Sequence, residues 1–103
     1  MGNKALLTWN IAPGSEREHF QRVREFVRKL SALGLLLEDA WYTVYGESPQ
    51  VLMGIVAEGR QEEQLDSALH SEEWERLLEE LKQYIVDYNQ RVVEATGPGL
   101  FQF

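Results

Sequence analysis

Residues 35–45, LLLEDAWYTVY, and residues 50–58, QVLMGIVAE, stand on either side of Gly46-Glu47-Ser48-Pro49, and their reading decides the fold. Both runs are rich in aromatic and β-branched residues, and the segment between them is turn chemistry. Together they predict two strands joined as a hairpin. Both runs are apolar on the two parities of a strand. A sheet covered on one face only alternates apolar with polar side chains, so near-continuous apolarity predicts that both faces of this hairpin are covered. Gly54, inside the second run, predicts a bulge or the close approach of another backbone. Glu38-Asp39 interrupts the first run. Consecutive strand residues point to opposite faces, so one of these two carboxylates is expected to face inward.

On the N-terminal side, residues 4–11 (KALLTWNI) read as a first strand, ended by Ala12-Pro13-Gly14. Ser15 and Glu18 have the spacing of a capping box. Phe20, Val23, Val27, Leu30 and Leu33 then recur at intervals of three and four, which predicts an amphipathic helix of about five turns. Gly34 closes it as the C′ residue. On the C-terminal side, Gly59-Arg60 opens a second helical stretch. Residues 61–69 form its first piece, and Ser71 caps a second piece in which Trp74, Leu77, Leu78 and Leu81 keep helical spacing. Ile85 and Tyr88 continue that spacing. Tyr84, Val86 and Tyr88 also fit a period of two, so the last strand starts ambiguously; we place it near 89–96 (NQRVVEAT). Gly97-Pro98-Gly99 breaks it, and the tail 100–103 (LFQF) is apolar. That tail is expected either to fray or pack on the chain's own core, or to lie on a partner subunit.

The resulting order is strand, helix, strand, strand, helix, strand. This is the split βαβ, or ferredoxin-like, arrangement: an α+β fold with an antiparallel four-stranded sheet and its helices on one face. At 103 residues the chain makes one domain, 1–103. Seventeen acidic residues against ten basic ones leave a net charge of −7, which repels a phosphate backbone. The bases of the first helix, Arg17, Arg22, Arg24, Arg28 and Lys29, are interleaved with Glu16, Glu18 and Glu25. They form a solvated face, and no nucleic-acid partner is expected. No apolar run is long enough to span a bilayer, and no membrane partner is expected. Cysteine is absent, and the opening MGNK runs directly into a strand without a charged leader and apolar segment. A cytoplasmic location is the expectation.

Chemistry is sparsely marked. His19 lies on the first helix and His70 just before Ser71; neither stands in an HxxxH or HExxH context, so no metal site is expected. The pairs Glu62-Glu63, Glu72-Glu73 and Glu79-Glu80 are solvated charge on polar helix faces. The glycines match no phosphate-cradling pattern. The aromatic residues offer the clearest hint of a pocket. Trp9 and Asn10 end the first strand; Trp41, Tyr42 and Tyr45 belong to the second. By parity Trp41, Thr43 and Tyr45 share one face. We take Trp9, Asn10, His19, Trp41 and Tyr45 as candidate ligand-binding residues, against the plainer alternative that they are core. Trp9 and Asn10 have opposite parity, so a shared pocket requires the strand to end or twist between them.

The opening strand with Ala12-Pro13-Gly14, the long helix, the hairpin of two-sided apolar strands and the Ser71-x-x-Trp74-x-x-Leu77 helix resemble the dimeric α/β-barrel superfamily. Its members include antibiotic-biosynthesis monooxygenase-like, stress-responsive and NIPSNAP-like proteins. The resemblance covers nearly the whole chain, in pattern and length. It implies a homodimer with two sheets face to face forming an α/β barrel, which agrees with the two-sided apolar hairpin. It also implies a small apolar ligand held in the barrel or between sheet and helices. Two activities are compatible with it: a binding, structural or regulatory module, or a cofactor-independent monooxygenase acting on an aromatic substrate. Haem-degrading members use an Asn on the first strand, a Trp on the second helical segment and a His further along it. Asn10 and Trp74 match the first two, but no His follows His70, so no haem and no other cofactor is expected.

Overall fold

The computed structural model describes residues 2–59 and 61–95. The elements are β1 (Gly2–Ile11), α1 (Glu16–Lys29), a 3-10 turn (Leu30–Leu33), β2 (Leu35–Tyr42), β3 (Val51–Ala57), α2 (Glu62–Leu69), α3 (Glu72–Lys82) and β4 (Ile85–Ala95). The four strands form one antiparallel sheet in the order β2-β3-β1-β4. This is the ferredoxin-like α+β fold expected from the pattern. The tail at 97–103, and the breaker that precedes its apolar residues, lie outside the described residues.

One face of the sheet makes the core. Ala5, Leu7 and Trp9 of β1, with Met53 and Ile55 of β3, pack against Phe26, Leu65, Trp74 and Leu81 from the helices. Strict alternation along β1 sends Ala5, Leu7, Trp9 and Ile11 to this side and Leu6, Thr8 and Asn10 to the other. No helix among the described residues is long and apolar enough to cross a membrane.

The two serine caps differ. Ser71 has extended backbone angles (φ −84°, ψ 157°), and its hydroxyl accepts from the Trp74 N–H at 3.2 Å. This is the geometry that N-capping requires. Ser15 follows Gly14, whose φ is +82°, and has ψ 14°; its side chain makes no capping bond. The expected capping box at Ser15 and Glu18 is therefore not formed. At ψ 14° Ser15 lacks the extended backbone that N-capping requires, and the backbone bond from Ser15 N to Ala12 O (3.0 Å) holds the corner instead. Gly34 behaves as expected, ending the 3-10 turn at φ 72°.

Two bulges correct the strand readings. In β4, Asn10 pairs with Val86 and Thr8 with Asn89, so Trp9 stands opposite both Asp87 and Tyr88. Asp87 takes the left-handed conformation (φ 57°) that makes this possible. Ile85 packs in the core, and Tyr88 packs against it. Their spacing of three is that of a helix, yet they sit on a strand, and the expected start of β4 at residue 89 moves back to Ile85. In β2 the register shifts between Leu37 and Asp39. This breaks alternation, so Glu38 and Asp39 do not split between faces: both carboxylates reach the Lys4 ammonium, at 2.7 and 3.1 Å. A Cβ at Gly54 would collide with Asp39 Oδ1. The close approach expected there is made by a side chain, not by a backbone.

Candidate functional site

Trp9 and His19 meet. The end of β1 turns Trp9 into the core, and the first turns of α1 bring His19 over it. Trp9 Nε1–H donates to His19 Nε2 at 2.9 Å, and both residues are fully buried, at 0% exposure. Tyr88, placed by the β4 bulge, stacks on Trp9 with centroids 6.4 Å apart and planes at 23°. Phe20 meets the His19 ring edge-on at 4.6 Å, and Tyr42 meets Phe20 at 5.4 Å. Accepting from Trp9 requires an unprotonated Nε2, so the single proton of the neutral ring lies on Nδ1, which has no partner among the described residues. Burial pushes the His19 pKa below its ordinary value. The imidazole is thus neutral, enclosed and already committed through its lone pair. It cannot accept a proton from a substrate without breaking the bond to Trp9.

Asn10 lies on the opposite side of the sheet. Its side-chain N–H donates to Asp87 Oδ2 at 3.0 Å, and its carbonyl oxygen accepts from Gln50 N–H at 2.9 Å. Gln50 returns the contact: its side-chain oxygen accepts from Ile11 N–H at 2.7 Å. Both ends of the Asn10 amide are thereby used to clamp the 43–50 loop and the β4 bulge against the end of β1. Gln50 and Asp87 were not signalled by the sequence, because each is an ordinary polar residue until the bulge and the loop bring it to Asn10.

Trp41 projects from the outer face of the sheet and is 65% exposed. The β2 bulge is the reason. With uninterrupted alternation Trp41 would share the buried side of Leu35 and Leu37; the extra residue sends it to the other. There Thr8, Leu52 and Trp41 form one row across β1, β3 and β2. Tyr45 is not on β2 as expected. The strand ends at Tyr42, and Tyr45 stands in the loop at 95% exposure. Of the five candidates, Trp9 and His19 form a packed pair, Asn10 and Trp41 share the outer face two strands apart, and Tyr45 lies beyond the sheet. The outer face also carries Leu36 and Val86, 47% and 41% exposed. Among the described residues no group of three His, Cys, Asp or Glu side chains is arranged to hold a metal ion.

No protein-family model matches the chain, and no curated protein matches it in sequence. Solved structures do match in shape. An uncharacterized NIPSNAP domain protein from Burkholderia xenovorans superposes with a TM-score of 0.63 at 11% identity, over 92% of this chain and 95% of that one. A NIPSNAP family protein from Agrobacterium tumefaciens gives 0.59 at 19% identity, over 91% and 85%. A structure described as an antibiotic biosynthesis monooxygenase gives 0.60 at 20% identity, over 92% and 99%. The chain has the fold of these proteins, as the sequence resemblance implied. At these identities the likeness concerns the fold alone.

Proposed function

We propose that the protein is a homodimeric α/β barrel that serves as a binding module for a small apolar molecule, with the outer sheet faces of two copies turned toward each other. The observation that carries this reading is the outer face itself, where Leu36, Trp41 and Val86 stand in solvent beside Leu6, Thr8 and Leu52. An apolar face of this kind on a small protein favours association. Covering Trp41 alone contributes about 3 kcal/mol at ~25 cal/mol per Å² of apolar surface. Two such faces enclose a lumen lined by apolar side chains, which suits an apolar guest. The absence of cysteine fits a cytoplasmic setting.

A cofactor-independent monooxygenase on the same fold needs a polar group that reaches its substrate. His19 is enclosed and bonded to Trp9, and both ends of the Asn10 amide are engaged by Asp87 and Gln50, so nothing favours that reading over the module. The test is the solution mass by gel filtration with light scattering. A mass twice 11.9 kDa supports the barrel; a monomer at micromolar concentration ends it. Repeating the measurement without residues 100–103 asks whether the apolar tail belongs to the interface.

A further inference from the structure

A cleft lies away from the outer face, on the helix side of the sheet, between α3 and β4. It is open to solvent and has a volume of about 310 Å³. Leu69, Trp74 and Leu78 form its buried wall, and Tyr88 forms its floor. The floor is rigid, because Tyr88 is stacked on Trp9 and its hydroxyl donates to Gln90 Oε1 at 2.7 Å. Burial holds the phenol protonated well above the ordinary range, so the ring stays neutral with an electron-rich face.

Three features of the rim indicate what the cleft attracts. Glu75 and Glu79 stand one helical turn apart along it and make no ion pair among the described residues. On neighbouring stripes of α3, by contrast, Glu72 is matched by Arg76 and Glu80 by Lys29. The ring face of Tyr88 already holds a cation: the Lys82 ammonium sits 4.9 Å from its centroid. A flexible, strongly hydrated lysine is a loosely held occupant of that position.

We propose that the α3–β4 cleft binds a small organic cation with a flat apolar body, its ammonium lying between Glu75, Glu79 and the Tyr88 ring and taking the place of Lys82. The body of such a ligand rests on Leu78 and the Tyr88 ring, and the charge remains at the rim, where both carboxylates can be reached. Lys82 acts as a resident competitor. The cleft lies on the helix side of the sheet, opposite the face proposed to dimerise.

The test is a titration of the full chain at low ionic strength with three matched probes: phenethylammonium, neutral 2-phenylethanol and anionic phenylacetate. Amide and side-chain NMR shifts of Leu78 and Tyr88 report on the cleft. Phenethylammonium is expected to bind about tenfold more tightly than the alcohol, with an affinity that falls as salt is added. Glu75→Gln and Glu79→Gln each weaken it several-fold. Lys82→Gln distinguishes the charge preference most directly. It tightens the ammonium if Lys82 competes, and abolishes binding of an anion if Lys82 is itself the recognition group. Phenylacetate binding best, equal binding of all three probes, weaker ammonium binding in Lys82→Gln, or no shift at Leu78 and Tyr88 with any probe would each overturn the proposal. The substitutions are exposed and leave the packed wall intact, and circular dichroism verifies that each variant is folded.

Discussion

The two faces of the sheet are made from the same kinds of residue and end in opposite states. On the helix side, Leu7, Trp9 and Ile55 are fully buried, and even a histidine is enclosed with them. On the outer side, Leu36, Trp41 and Val86 keep large fractions of their surface in water, and the Lys4 ammonium with Glu38 and Asp39 is laid across Gly54. The difference shows that apolar patterning says how much surface must be covered, but not by what. The helices cover one face within the chain. Among the described residues nothing covers Leu36, Trp41 and Val86 on the other, and this is the basis of the proposed dimer.

The contrast can be broken most forcefully from the inner side. Trp74→Ala removes a buried indole that packs against Phe26. It is expected to cost about 3–5 kcal/mol of folding stability, measured by urea denaturation. A cost below about 1 kcal/mol would mean that this face is not the core. Trp41→Ala addresses the outer face. The same residue type is predicted to leave the stability of the isolated subunit nearly unchanged, while weakening the proposed dimer by about 2–3 kcal/mol, a rise of roughly 30- to 150-fold in dissociation constant. Sedimentation measurements over a concentration series separate the two effects. A Trp41→Ala dimer as tight as the original would remove Trp41 from the interface.

A smaller effect sharpens the inner face. The His19 pKa is lowered in the folded chain by burial, while the unfolded chain takes up its proton near 6.5. The unfolded state therefore binds more protons below that pH. The stability contributed by neutral His19 is fully present above pH 6.5 and is lost as pH falls from there toward the folded-state value, by up to about 1.4 kcal/mol per pH unit. Stability curves between pH 7.5 and 5 should show this slope in the original chain and lose it in His19→Gln. An unchanged slope in the variant would assign the acid sensitivity to other groups. The least effect is expected on the outer face at Lys4, whose pKa is raised chiefly by its bond to Glu38 and then by Asp39, against the opposing effect of partial burial. A partly solvated ion pair contributes little, so Lys4→Met should cost no more than about 1 kcal/mol, and 1 M salt should shrink even that. A loss of several kcal/mol would show that this pair organises the sheet.

Much of this architecture was legible in the chain. The order of elements, the glycine that closes the 3-10 turn after α1, the serine cap of α3 and the hairpin of β2 and β3 all follow from local rules of periodicity and turn chemistry. Those rules failed at identifiable residues. The capping box at Ser15 was lost because the turn at Gly14 leaves Ser15 without the extended backbone that a cap requires. Ile85 and Tyr88 imitated a helix because the bulge at Asp87 inserts one residue into a period of two. Trp41 was expected on a simple parity, and the bulge near Glu38 reversed its side. The candidate site was legible only in part. Trp9 and His19 stand out by residue type, but Gln50 and Asp87, which hold Asn10, carry no sequence signal of their own.

Sequence alone determined the fold class, the periodic faces of the helices and the apolar excess of the sheet, because these depend on neighbours within a few residues along the chain. Tertiary structure decided which aromatic side chains are core and which are surface, which partner each amide and imidazole nitrogen finds, and which face remains open. Those outcomes depend on register. A one-residue bulge in an edge strand costs little locally, yet it moves every side chain beyond it to the opposite side of the sheet.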